Sequence, residues 1–206
     1  MVHYGQGSGA GRRKAKEAWP VATTTRKPWS AEELDRLPEG WRYEIDEGEL
    51  VIMAPAGWLH GKVTNRVAVL LSRFVDERRL GHVLAGEAGF FVRRNPDVLR
   101  APDVAFYSAE RAARIADVTG YPSVPPDLAV EVQDPSEPDL RRKIQQYLQA
   151  GVRAVWVVDP FGRTLTRHAP GQAPYTWSKL EAVIEEPVLP GFWCRLGELF
   201  EDVQPR

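Results

Sequence analysis

Apolar residues recur along this chain with two periods, and the changes from one period to the other outline the elements. Between 59 and about 79, Val63, Val67, Leu70, Leu71, Phe74 and Val75 keep a helical spacing. Lys62, Arg66, Arg73 and Asp76 fill the other positions, so the pattern predicts an amphipathic helix packed on a sheet. "RYEIDEGELVIM", 42–53, alternates on both sides of Gly48 and predicts a hairpin turning there. "GHVLAGEAGFFVRR", 81–94, and "PDVAFYS", 102–108, predict strands, and "SAERAARIAD", 108–117, a short helix capped by Ser108. A strand "DLAVEV", 127–132, then leads through a proline-bounded loop to a helix "PDLRRKIQQYLQAG" that stops at Gly151. "RAVWVVD", 153–159, is apolar throughout, as a strand covered on both faces would be. Near the start, "WSAEELDRLPEG" predicts a short helix with Ser30 as N-cap and Glu33 at the capping-box position. From 163 to 200 the pattern suggests antiparallel strands, with "GFWCRLGELF" closing the domain. Helices and strands alternate in this way in an α/β domain with a mixed sheet.

Composition narrows the class without changing that outline. The 206 residues, 43% hydrophobic and 27% charged, suit one soluble domain over 28–206. Residues 1–27 include "GQGSGAGRRKAK" and "TTTRK" and are expected to form a flexible basic tail. Its glycines do not make a phosphate loop, because no strand precedes them and no lysine-serine or lysine-threonine ending follows. The single cysteine, Cys194, excludes an internal disulfide and a thiolate metal cluster. No apolar run approaches a membrane span and the first residues lack a signal-peptide core, so a cytoplasmic location with no membrane partner is expected. A net charge of −1 gives no bulk attraction for nucleic acid. Of the 27 basic residues 21 are arginine and 6 are lysine, so each lysine stands out against the default cation.

Candidate chemistry lies in two Pro-Asp stretches, "APDVAFYSAE" and "PPDLAVEVQDPSEPD". Glu131 sits in the middle of an apolar strand, where a lone carboxylate is costly. Its plain alternative is a buried salt bridge. Asp103 opens another strand, and if the two strands are neighbours their carboxylates meet at one sheet end. Two such oxygens, with a backbone carbonyl, make a partial site for magnesium or manganese. On the following helix Asp139, Lys143 and Tyr147 share a face, and Lys143, one turn in, can reach back over the strand end. Gln133, two positions after Glu131, carries no charge and can only orient.

Together "YEIDEGELVIMAP", His60, "PDVAF" and "LAVEVQDPSEPDLRRKIQQYLQAGVRAVWVVDP" resemble the Uma-two family of endonucleases, within the restriction-endonuclease-like PD-(D/E)XK superfamily. The resemblance spans roughly 29–200. It implies a restriction-endonuclease-like core, with a mixed central sheet flanked by helices, that uses magnesium or manganese to cleave phosphodiesters in DNA. It implies Asp103 and Glu131 as metal ligands, Lys143 as the motif lysine moved from strand to helix, and Glu44 as an additional acidic ligand. His60 matches a family position and is expected to be structural or peripheral, an auxiliary like Gln133. By analogy with nucleases that cut both strands, a homodimer is expected. Two departures stand out: Gln133 replaces a lysine, and Asp134 adds a negative charge that either supplies a ligand or repels phosphate. The reading from another class is a catalytically inactive nuclease fold that binds nucleic acid or protein.

Overall fold

The structure, a computed structural model, describes residues 28–38, 42–86, 88–134 and 140–201. The expected tail over 1–27 and Asp139 lie outside the described residues. A 3₁₀ turn, Ala31–Arg36, replaces the expected opening helix, and the Ser30 amide donates to the Glu33 carboxylate at 3.0 Å as a capping box requires. The hairpin forms from β1 (Arg42–Asp46) and β2 (Glu49–Met53). Helix α1 (Trp58–Arg78) follows and buries Val63, Val67, Leu71 and Val75, the stripe that the spacing predicts.

The stretch 81–94 differs from a single strand. It divides into β3 (Gly81–Ala85) and β4 (Phe90–Arg93), which belong to different sheets. Gly86 between them has a φ of 86°, a conformation that takes the chain out of the extended path. Next come β5 (Val98–Arg100), β6 (Val104–Ser108) and α2 (Ala109–Ala112), a single turn whose N-cap Ser108 accepts from the Arg111 amide at 3.3 Å. The order then runs β7 (Leu128–Val132), α3 (Leu140–Ala150), β8 (Ala154–Asp159), β9 (Thr164–His168) and β10 (Tyr175–Trp177). A ribbon of β11 (Val183–Glu185) and β12 (Trp193–Arg195) and a 3₁₀ turn, Leu196–Phe200, close the domain.

The larger sheet has six strands in the order β10-β9-β8-β7-β6-β3; only β7 and β8 run parallel, so the sheet is mixed. A smaller sheet has the order β2-β1-β5-β4. On β7 the pleat sends Leu128, Val130 and Val132 into the core under α1, with Phe106, Trp156 and the closing Leu199 and Phe200. Ala129 faces the other way, into a second core with Ile144 and Tyr147 of α3 and Phe90 of β4. Glu131 shares that second face by parity, so the strand is buried on both sides and its acid points toward α3. Among the described residues no helix is long and apolar enough to cross a membrane.

The hairpin that carries Glu44 is pinned at its turn. Gly48, at φ 80°, accepts from the Trp29 amide at 2.7 Å and donates to the Asp97 carbonyl at 2.8 Å. A Cβ there would stand 2.6 Å from Pro28 Cβ. Gly48→Ala is therefore expected to destabilise the fold by about 1–3 kcal/mol through backbone strain and this clash. Urea unfolding with an unchanged m-value checks it.

Candidate active site

Three elements from both sheets and one helix converge on a buried charge cluster. Glu44 comes from β1, Glu131 from β7 and Lys143 from the second turn of α3. They are 2%, 2% and 4% exposed. The Lys143 ammonium lies 3.0 Å from Glu131 Oε2 and 3.2 Å from Glu44 Oε1. One cation thus bridges two carboxylates taken out of water, which offsets a desolvation cost of several kcal/mol per ion. The other Glu131 oxygen accepts from the Tyr147 hydroxyl at 2.6 Å, one helical turn beyond Lys143. Burial and the Glu131 and Glu44 charges push that phenol well above its usual value of 10.0, so Tyr147 serves as a donor.

Glu44 is held on all sides. Its Oε1 also accepts from the Ala101 amide at 2.9 Å, and its Oε2 accepts from Arg100 Nη1 at 2.9 Å. Burial alone would raise this carboxyl, but the Lys143 and Arg100 charges and the Ala101 amide hold it below the ordinary 4.5. Arg100 in turn donates to Gln146 Oε1 at 2.8 Å and pairs with Asp46 at 2.9 Å; Gln146 Nε2 donates to Asp46 at 2.7 Å. Burial works against the Arg100 charge, and Glu44 and Asp46 more than restore it, lifting its pKa above the usual arginine value.

Asp103, 4% exposed, precedes β6, whose Val104 pairs with Val130 of β7. It therefore sits at the same sheet end as Glu131, as the sequence suggested for neighbouring strands. Its Oδ2 accepts from the Val132 amide at 2.7 Å and from His60 Nε2 at 3.3 Å. His60, expected to be structural or peripheral, touches a predicted ligand directly. The Asp103 hydrogen bond raises the imidazole above 6.5 despite burial, with the Asp103 and Asp134 charges adding to it and the Arg42 charge opposing. Because β6 and β7 are antiparallel, the aspartate of the second Pro-Asp stretch lies at the far sheet end. There Asp127 accepts from the Ser108 amide at 2.7 Å and pairs with Arg111 and Arg153, a structural role. Gln133 is exposed, and its amide donates to the Val158 carbonyl at 2.8 Å.

The geometry bears on a divalent ion. Magnesium prefers oxygen donors and keeps several waters, so one or two carboxylates suffice. Asp103, just before β6, and Glu131, on the adjacent β7, stand at one sheet end and offer oxygen donors of that kind. Among the described residues, however, no group of three or more His, Cys, Asp or Glu side chains is placed to hold a metal together. Glu44 has both oxygens engaged by Ala101, Lys143 and Arg100, and Glu131 both of its own by Tyr147 and Lys143, so ligation by either requires a remaining lone pair or the exchange of a donor.

The sequence does not point to Arg100, Gln146 or the Tyr147 hydroxyl as parts of the site; it offers His60 as an auxiliary, without its contact to Asp103. The one signal for Gln146 was its place on the inner face of α3 beside Tyr147, and Arg100 ends β5, a strand too short to leave a pattern.

The Uma2 family, described as "Putative restriction endonuclease", matches residues 31–197. No match is found among curated proteins. Among solved structures, the chain is similar to a protein described as "a putative nuclease belonging to DUF820 from Anabaena variabilis ATCC 29413". The two share 19% identity and a TM-score of 0.69 over 82% of this chain and 96% of that one. The likeness shows the fold: a restriction-endonuclease-like α/β core with its mixed sheet flanked by helices.

Glu44 gives the cluster a pH signature. A carboxyl held below its unfolded value adds stability that is complete above about pH 4.5 and is lost as pH falls through the lower folded value. Glu44→Gln, which leaves Arg100 and Lys143 short of an anion, is expected to cost about 3 kcal/mol at neutral pH. The gap to the unaltered protein should shrink below pH 4.5, measured by denaturant unfolding at several pH values.

Proposed function

The chain belongs to the Uma2 family, and from that premise and the buried cluster we propose that it is a metal-dependent DNA endonuclease hydrolysing phosphodiester bonds. The observation that carries the reading is the Lys143 ammonium bonded to both Glu131 and Glu44, with Asp103 at the same sheet end, just before the strand next to that of Glu131. A magnesium or manganese ion, when bound, supplies an acidified water and stabilises charge on a phosphoryl oxygen. Asp103 and Glu131 are the residues that hold the ion. His60 and the Val132 amide fix the Asp103 carboxylate, and Tyr147 fixes that of Glu131. Lys143 offsets negative charge gathering on the phosphoryl oxygens, in place of the strand lysine that Gln133 has replaced. Glu44, expected as a further ligand, is assigned instead to holding Lys143 and Arg100. The reading carries with it DNA as the partner and, where both strands are cut, a homodimer.

A second reading, a nuclease fold kept for binding alone, is favoured by one observation: no three potential ligands group together among the described residues. Calorimetry with manganese and a cleavage assay on several DNA forms separate the two. Manganese binding that Asp103→Ala and Glu131→Ala each abolish supports the enzyme, and unchanged binding in both sinks the assigned ligands. Lys143→Ala should lower the cleavage rate on the order of 100-fold while leaving metal affinity largely intact. Gln133→Ala, at an exposed site, should do far less. The reverse ranking in folded variants would reduce Lys143 to a structural counter-ion.

A further inference from the structure

Beside the cluster lies a cavity of about 290 Å³ that none of the roles above uses. Arg42, Tyr43, Met53, Gly89, Ala101 and Tyr121 line it. Two of its features connect it to the chemistry. Arg42 stands two positions before Glu44 on β1, so the pleat puts both on one face. Ala101 offers its amide to Glu44 from the segment that leads into Asp103.

Tyr121 forms a wall that is set in place rather than left loose. Its ring meets Phe91 edge-on, with centroids 6.2 Å apart, and the Phe91 amide donates to the Pro122 carbonyl at 2.9 Å. The ring lies over Gly89, where a Cβ would come within 3.0 Å of it. It remains 42% exposed, so an anchored aromatic face is left for a ligand.

A guanidinium for phosphate, an exposed ring for a planar group and a space of nucleotide size belong together chemically. We propose that this cavity receives one unpaired nucleotide of the DNA strand next to the phosphodiester being cut, its base against Tyr121 and its phosphate toward Arg42. The inference rests on the endonuclease reading and adds a substrate class: the chain prefers single-stranded or frayed DNA to intact duplex. A base still paired and stacked in a helix has no free face to offer, whereas stacking of an unpaired base on an aromatic ring is tolerant of sequence.

The test is binding in EDTA, where no cleavage is needed, so it succeeds or fails apart from the enzyme assignment. Fluorescein-labelled 12-nucleotide DNA, single-stranded or as its duplex, is titrated with the full chain and followed by anisotropy. The single strand should bind more tightly. Tyr121→Ala should weaken it on the order of 10-fold while changing the duplex little, and Tyr121→Phe, which keeps the ring, should stay within about twofold of the unaltered chain. Arg42→Ala should weaken binding and flatten its salt dependence by about one phosphate contact. Equal affinity of Tyr121→Ala and the unaltered chain for the single strand overturns the proposal. So does a Tyr121→Phe loss as large as that of alanine, or no measurable binding of either DNA form. Tight single-strand binding through Tyr121 without cleavage in manganese would instead overturn the endonuclease reading alone.

Discussion

Two buried carboxylates share one ammonium, and the architecture is arranged around that constraint. Neither Glu44 nor Glu131 could stay charged in its position alone, since an isolated buried carboxylate would take up a proton or draw in water. Lys143 meets both at 3.2 and 3.0 Å and thereby ties the small sheet to the large one through α3. Arg100 does the same work one layer out, joining Glu44 and Asp46 of β1 to Gln146 of α3. The apolar contact of Phe90 with Tyr147, stacked at 5.6 Å, spans the same junction. Breaking one member leaves the opposite charge buried without its partner, which is why such networks fail as units.

The sequence made much of this legible because its anomalies were chemical. An acid inside an apolar strand and a rare lysine one turn into the next helix are visible without coordinates. So was the α1 stripe, whose period survives in the folded protein. Asp103 was legible only on the condition that β6 and β7 are neighbours, and their antiparallel pairing also decides between the two Pro-Asp stretches. It puts Asp103 at the end occupied by Glu131 and Asp127 at the end occupied by Ser108 and Arg153. No local pattern carries that information.

What stayed hidden is what tertiary pairing creates. The stretch 81–94 has strand composition throughout, yet a turn at Gly86 sends its halves to different sheets. β5, three residues long, gave too short a pattern to register, and it carries Arg100 into the interior. Glu186 shows the same limit on the other side of the molecule: a carboxylate in a loop after β11 is buried because Trp156 and Arg167 reach it at 2.7 and 3.0 Å. For His60 the sequence offers only a structural or peripheral part, because helix periodicity assigns it no partner, and only the crossing of α1 past the end of β6 supplies Asp103.

The cation of the cluster stands on a helix and not on the strand that carries Glu131, and this has a physical consequence. A residue two beyond Glu131 falls past the last residue of β7, and Gln133 there is exposed. A lysine in its place would have its charge screened by water. Lys143 instead approaches from α3 and is enclosed, so its field is stronger at short range. Enclosure demands a second counter-charge if Glu131 is to hold a metal ion, as proposed. Glu44 supplies it, and Arg100 and the Ala101 amide keep Glu44 ionised and in place. The helix lysine and the hairpin glutamate are therefore one device: the first works as a fixed charge only because the second holds it.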